Sequence, residues 1–425
     1  MAFPATPSNN DVHKVGNRAF VWDSTLGVWD QVREVDRSKN ETFTDDAITS
    51  RDLTVTGDLT VTGTVSGDFV PSAPLSHRNM IINGAMQVAQ RGNSGTQTGG
   101  SGYYQTADRF IDFNNTVAAT VTRETTNGVL GTENGNTFND AFPCSWKWIS
   151  TNSASPGSSD RIIFMYRFEG QDLQHLAKGT DDAKAVTLSF WVKSTQTGNH
   201  QVNITDDNSR MIGAVYAVSS ANTWEKKVIT FAGDTIGIID NDNSQGMALE
   251  WWLCAGSTYS SGAVPTSWEA NAAADRAVEQ QPYSSATSRS WQITGIQLEV
   301  GSNATPFEHR SYGEELAMCQ RYYSQVFIGI QAGKGNGTTS VGIPMIVPVP
   351  MKATPSVTLA DDSLGFSRFN DSATNTDAPT GVDISGSDAW NSTFYCNVTG
   401  LSGGITDNRG YTIQSGTSLQ FEAEL

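Results

Sequence analysis

Positive charge is scarce in this sequence. Lys and Arg number 27 against 44 Asp and Glu, a formal charge of −17, and no basic run occurs anywhere. Phosphate-backbone binding depends on cationic side chains displacing counterions, so no nucleic-acid partner is expected. Histidine is also sparse: the five residues form neither an HxxxH pair nor an HExxH motif, which argues against a helical zinc site. Four cysteines, Cys144, Cys254, Cys319 and Cys396, lie too far apart for a zinc pattern or a small-domain disulfide framework. They read as free, buried thiols. The most apolar late stretch, "VGIPMIVPVPM", is short and broken by three prolines, so no membrane insertion is expected. "MAFPATPSNNDVHK" has neither the charged nor the apolar region of a secretory signal.

Catalytic patterns are missing as well. "GNSGT" at 92–96 lacks the last spacing of a GxSxG elbow, and "ADDSLG" around Ser363 is followed by no histidine. In "IDNDNSQG", Asp240 and Asp242 suggest calcium. Gln245 occupies the glycine position of an EF-hand loop and no Glu falls at its twelfth, so an Asx turn is the simpler reading. No metal, no cofactor and no enzymatic activity are expected. Glycan-cleaving acid pairs are harder to exclude, because their separation is invisible in sequence.

What is present is aromatic and turn-forming. The chain carries 11 Trp, 18 Phe and 11 Tyr, only 17% charged residues, and abundant Gly, Ser, Thr and Asn in their place. Short strands joined by polar turns follow, hence a mainly β protein. In "AVTLSFWVKS", Val186, Leu188, Phe190 and Val192 share one face while Thr187, Ser189, Trp191 and Lys193 share the other. "DRIIFMYRFEG" places Ile162, Phe164, Tyr166 and Phe168 on one side and Arg161, Arg167 and Glu169 on the other. "LEWWLCAG" is apolar on both faces, as in a central strand. In "SWQITGIQLEVGS" the apolar phase shifts at Gly295, as at a bulge. Strands at this spacing predict a jelly-roll β-sandwich over 75–310.

Ser311 and Glu314 form a capping box for a connector helix over 311–324, with Tyr312, Leu316, Cys319 and Tyr323 at helical spacing. Residues 325–425 return to strands as a C-terminal β domain, and "TSLQFEAEL" alternates to Leu425. Near the start, "RAFVWDSTLGVWDQV" reads as a hairpin of Ala19–Trp22 and Val28–Val32. One hairpin is marginal alone, so Trp22 and Trp29 are expected to pack on another chain or a docking partner. A polar linker completes residues 1–50. "DLTVTGDLTVTGTVSG" then repeats a hexad barely two and a half times within 51–74. Its Leu53, Val55, Leu59, Val61 and Val65 alternate like a strand, with too few copies to cover themselves.

Four stretches resemble pieces of tailed-bacteriophage tail fibres. "RNMIINGAMQVAQRG" resembles the strand that opens their jelly-roll module. "ITGIQLEVGSNATPFEHRSYGEELAMCQRYY" resembles its closing strand and helical link, "DLTVTGDLTVTG" their shaft repeats, and "AFVWDSTLGVWDQV" their virion-fastening segments. The resemblance implies a homotrimer whose shaft buries Leu53, Val55, Leu59, Val61 and Val65 around one axis. It implies attachment to phage tail proteins through Phe20, Trp22 and Trp29, and a place in the virion after assembly in the host cytoplasm. It further implies distal receptor binding, with the C-terminal domain as a candidate tip. Because the jelly-roll module resembles carbohydrate-binding modules, the implied ligand is a host surface polysaccharide or lipopolysaccharide. Sugars stack on flat aromatic faces offered to solvent. Trp191 on a polar strand face, Trp252, and Tyr259, Trp268 and Trp390 in polar, turn-rich surroundings are the candidate platforms. A depolymerising tailspike and a purely structural spike are the alternatives.

Overall fold

The computed structural model describes residues 12–15, 18–23, 28–32, 77–97, 100, 102–125, 142–327, 331–360, 364–368, 375–377, 379, 381–388, 393–401, 405, 409–415 and 418–425. The chain divides into two compact units, Met1–Phe69 and Val70–Leu425. In the first, the expected hairpin is a three-stranded antiparallel sheet. Strand β1 (Val12–Val15) joins β2 (Arg18–Asp23), which pairs with β3 (Val28–Val32). Trp22 and Trp29 stand directly opposite each other, with ring centroids 5.6 Å apart, so each has the other as a packing partner. Both rings and that of Phe20 remain half-buried. The repeat carrying Leu53, Val55, Leu59, Val61 and Val65 lies outside the described residues.

The second unit begins with a two-sheet sandwich. In chain order its strands are β4 (Ser94–Gln97), β5 (Gly102–Tyr103), β6 (Phe110–Asn114), β7 (Ala119–Thr125), β8 (Cys144–Ser150), β9 (Arg161–Glu169) and β10 (Val186–Ser194). There follow β11 (Gly198–Asp206), β12 (Arg210–Val218), β13 (Glu225–Phe231), β14 (Gln245–Ala255), β15 (Glu269–Ala270) and β16 (Ser290–Val300). One sheet runs β13-β10-β16-β8-β7-β4, and the other β15-β12-β11-β14-β9-β6-β5. The chain repeatedly crosses from sheet to sheet, as in a jelly roll. The inward residues of β9 and β10 read from sequence, Ile162, Phe164, Tyr166, Phe168, Val186, Leu188, Phe190 and Val192, all lie in one core between the sheets. Trp146, Trp251 and Trp291 surround Phe164 there, at 4.3, 5.7 and 5.6 Å between centroids.

Gly295 is the bulge glycine its phase shift predicts. The register between β10 and β16 slips at this point, and Gly295 has φ +60°. A Cβ there would come within 2.5 Å of the Phe142 ring, so both backbone conformation and space demand glycine.

The "RNMIINGAMQVAQRG" segment corrects an expectation, because it is not a regular strand. It runs beside β16, pinned by side chains. Asn79 donates from Nδ2 to the Ile296 carbonyl and accepts from the Ile81 and Leu298 amides (3.1, 2.9 and 3.1 Å). Asn83, at φ +62°, exchanges hydrogen bonds with both main-chain groups of Val88. The "PFEHR" stretch fastens it from outside: Glu308 accepts from the Asn79 amide at 2.9 Å, and Arg310 donates to the Ile81 carbonyl at 3.1 Å.

Two helices matter. Helix α1 (Ser257–Ser260) is a single turn beside β14, and α2 (Tyr312–Gln320) links the sandwich to the C-terminal strands. Ser311 caps α2 by accepting from the Glu314 amide, as expected. Of the expected face Cys319 is buried and Leu316 half-buried, but the helix ends at Gln320, so Tyr323, also buried, opens the strand Tyr323–Phe327 and Tyr312 faces out. Glu315 and Cys319 are buried while Tyr312 is 56% exposed, because the Glu315 carboxylate turns inward to accept from the Asn83 amide at 2.6 Å.

A second core, including Ile343, Met345, Phe394, Val398, Leu419 and Phe421, lies among the C-terminal strands. Strand Ser418–Glu422 pairs with both Tyr323–Phe327 and Ser356–Leu359, so the final alternating run does enter a sheet. This part docks on the sandwich through buried charge. Arg109, 1% exposed, donates to Glu424 while its guanidinium stacks on Tyr322 at 3.4 Å. Arg321 donates to both oxygens of buried Glu169 (2.9 and 2.8 Å). The "IDNDNSQG" loop serves the same junction. It contains an Asx turn, the Ser244 amide donating to Asp242, and the Asn243 side chain donates to the Lys352 carbonyl. All four cysteines are free and buried, as their spacing predicts.

Candidate functional site

A groove of about 560 Å³ crosses the outer face of the seven-stranded sheet. Strand alternation builds its floor. With Ile162, Phe164 and Tyr166 turned into the core, Arg161, Ile163, Met165 and Arg167 of β9 necessarily face outward. Register places Phe113 of β6 and Trp252 of β14 on either side of Ile163, and Ile111 and Glu250 on either side of Met165. One wall is the segment after β14, laid over the neighbouring strand β11. Gln201 donates to the Asp275 carbonyl and Asn203 to the Arg276 carbonyl (2.8 and 2.7 Å), so these buried β11 amides hold the wall in place.

Along the groove edge runs a stacked series. The Arg161 guanidinium lies over Phe113 at 4.4 Å and over Tyr259 at 5.2 Å, and donates to the Tyr259 hydroxyl. Tyr259 packs on Trp252 at 5.2 Å, and Arg276 covers the Trp252 ring at 5.1 Å. Glu250 ties this together, accepting from Trp252 Nε1 at 3.0 Å, from Thr205 at 3.3 Å and from Arg276. Gln245 and Asn271 also line the groove, and neither side-chain amide has a hydrogen-bond partner among the described residues. The arrangement offers an apolar floor, flat stacked groups at one edge and free polar groups, the composition of a small-molecule or oligomer site.

Of the aromatic platforms expected from sequence, the structure brings together Trp252 and Tyr259 alone. Trp252 requires correction, since it is 1% exposed beneath Tyr259 and Arg276, and the adjacent Trp251 is in the inter-sheet core. Tyr259 is half-buried. Trp191 also requires correction. It does point away from the main core, yet Ala85, Phe142, Trp224 and Phe307 cover it to 2% exposure, and its ring offers no face to solvent. Trp268 is half-buried and tied into a charge cluster: its Nε1 donates to the Ala232 carbonyl at 2.7 Å, and Lys178 sits over its ring at 4.2 Å. There Lys178 bridges Asp206 and Asp234. Burial alone would raise the Asp234 carboxyl, but hydrogen bonds from Arg210 and Lys178 hold it well below the usual carboxylate range. Trp390 and Ser363 lie outside the described residues.

From sequence, Arg161 and Arg167 fall on the outer side of β9 with no role assigned, and Glu250 passes unnoticed. A usable signal was present, because Glu250 is the single charge within the otherwise apolar "LEWWLCAG". Buried polar residues in such strands usually mark a network.

No protein-family model matches the sequence, and no curated protein matches it. Among solved structures, the chain is similar to the enzymatically active domain of bacteriophage CBA120 tailspike protein 4, at 11% identity and TM-score 0.27, over 52% of this chain. It spans 21% of the length of that tailspike domain. It is similar to a family 11 carbohydrate-binding module of a cellulosomal cellulase from Clostridium thermocellum, at 11% identity and TM-score 0.23, over 50% of this chain and 90% of that one. A third similarity is to the CBM22-1 and GH10 modules of a xylanase from the same organism, at 12% identity and TM-score 0.24, over 51% of this chain and 30% of that one.

Proposed function

We propose that this chain is the subunit of a homotrimeric phage tail fibre that attaches to a host cell by binding a surface glycan, without cleaving it. The observation that carries the glycan reading is the groove on the seven-stranded sheet. It combines an apolar floor at Ile163 and Met165, flat groups at Phe113 and Arg161 backed by Tyr259, and uncommitted amides at Gln245 and Asn271. Sugars need this mixture, since each ring presents an apolar face and an equator of hydroxyls. The fibre assignment, the virion location and the attachment role of Phe20, Trp22 and Trp29 rest on the sequence resemblance.

Purified protein titrated with host envelope polysaccharide tests the proposal. Binding is expected without shortening of the polymer, whereas release of oligosaccharides would replace the adhesin with a depolymerising spike. Replacing Gln245 and Asn271 together with alanine is expected to weaken binding by about tenfold or more, on the basis of roughly 1 kcal/mol per lost hydrogen bond. The melting temperature should stay unchanged, since neither amide supports the fold; undiminished binding would remove the groove from consideration. Light scattering should report three chains per particle, and a monomer at micromolar concentration would refute the trimer.

A further inference from the structure

The charge inside the groove is unbalanced in a way the fold does not explain. Two carboxylates line it, and both are engaged. Asp206 accepts from Lys178 and from the Arg210 amide, while Glu250 accepts from Arg276, Thr205 and Trp252. Arg161 and Arg167, from the same strand, have no side-chain carboxylate partner among the described residues. Arg161 donates to the Tyr259 hydroxyl and Arg167 to the Leu425 main-chain oxygen. The Nε atoms of both are buried with no hydrogen-bond partner. In a chain with 44 acidic and 27 basic residues, two half-buried guanidinium groups without a side-chain counter-charge stand out. Desolvating an unpaired cation opposes folding. The rings of Phe113 and Tyr259 and the Tyr259 hydroxyl orient Arg161 without neutralising it, whereas Arg167 meets an oxygen of the last residue, Leu425.

We infer that the ligand of this groove is an acidic glycan, one whose sugar carboxylates are met by Arg161 and Arg167; the inference rests on the groove being the glycan site. A guanidinium fork matches a carboxylate in two parallel hydrogen bonds, and with both Nε atoms buried the Nη groups are the ones a ligand in the groove would meet. The two arginines are six residues apart on one strand, about 20 Å at roughly 3.3 Å per residue, so a ligand touching both is an oligosaccharide. The overall charge of −17 disfavours an acidic polymer on average, so its contact is favoured where uncompensated arginine faces the groove.

The test uses the full chain and calorimetric titration with a panel of hexuronate oligosaccharides of differing linkage. Each is paired with its carboxyl-reduced, neutral form, and neutral oligosaccharides are included. The expected result is binding to at least one acidic member, lost by about ten- to a hundredfold on carboxyl reduction and weakened by added salt. Arg161→Gln and Arg167→Gln should each reduce that preference, and Arg161→Lys should retain part of it, separating lost charge from lost packing against Tyr259. Equal affinity for acidic and reduced forms, or binding confined to neutral members, overturns the acidic ligand and leaves the groove as a glycan site. Absence of binding to any member at roughly millimolar concentration overturns both.

Discussion

Glu424→Ala is expected to destabilise the chain by about 3–5 kcal/mol, the usual consequence of breaking a buried ion pair from one side. Glu424 accepts from Arg109 and, at 3.3 Å, from Arg91; all three side chains are at least nine-tenths buried. Both arginines are also held against rings, Arg109 on Tyr322 and Arg91 on Tyr323 at 3.6 Å, so neither can swing out to solvent when its partner is removed. Arg109 would be left with no carboxylate among the described residues. The damage should be local at first, because the C-terminal core is a separate cluster from the sandwich core. Urea denaturation followed by tryptophan fluorescence is expected to lose coincidence with circular dichroism as the C-terminal strands separate early. Glu424→Gln, which keeps an acceptor oxygen, should cost less. A loss below about 1 kcal/mol would rank the contact with ordinary surface pairs and deny it a role in holding the two parts together.

The second large effect concerns Asp112, which points into the sandwich from β6, opposite Phe164. It is 3% exposed, and its Oδ2 has no hydrogen-bond partner. Burial pushes this carboxyl well above its ordinary value, so the folded protein holds the proton to higher pH than the unfolded chain does. The unfolded chain releases that proton above about pH 4. Folding therefore takes up a proton, and stability falls as pH rises through this window, by up to about 1.4 kcal/mol per pH unit. Other groups overlap at the acid end. Asp108, pushed up to about 6 by burial, adds a slope of the same sign, and His200, pushed down to about 4 by burial, adds the opposite one. Both have largely finished titrating by about pH 7. Asp112→Asn should consequently flatten the profile above about pH 4 and raise the melting temperature as the pH rises. Parallel profiles for the variant and the parent would show that the Asp112 carboxyl titrates alike in the folded and unfolded chain.

How much of this was legible beforehand varies by element. Val186, Leu188, Phe190 and Val192 declared their inward face because strand alternation is a property of the backbone alone. The phase break at Gly295 and the Ser311 cap were legible for the same reason, each being written within a few residues. Trp191 shows where local reading stops. Its placement on the opposite side of β10 was right, but Ala85, Phe142, Trp224 and Phe307 close over it from four distant parts of the chain. Likewise α2 buries Glu315 in preference to Tyr312, because an Asn83 amide waits there for a carboxylate.

By itself the sequence determined the mainly β class, the inward faces of the sandwich strands, the bulge, the helix cap and the free thiols, all set by periods and residue types over short spans. The candidate site was decided by tertiary structure. Phe113, Arg161 and Glu250, with Asn271 and Arg276, belong to four separate segments, and they meet because β6, β9 and β14 pair in a particular register while the segment after β14 folds across β11. Alternation fixes which way a side chain points; strand order and register, set by the packing of the whole sandwich, decide what it points at.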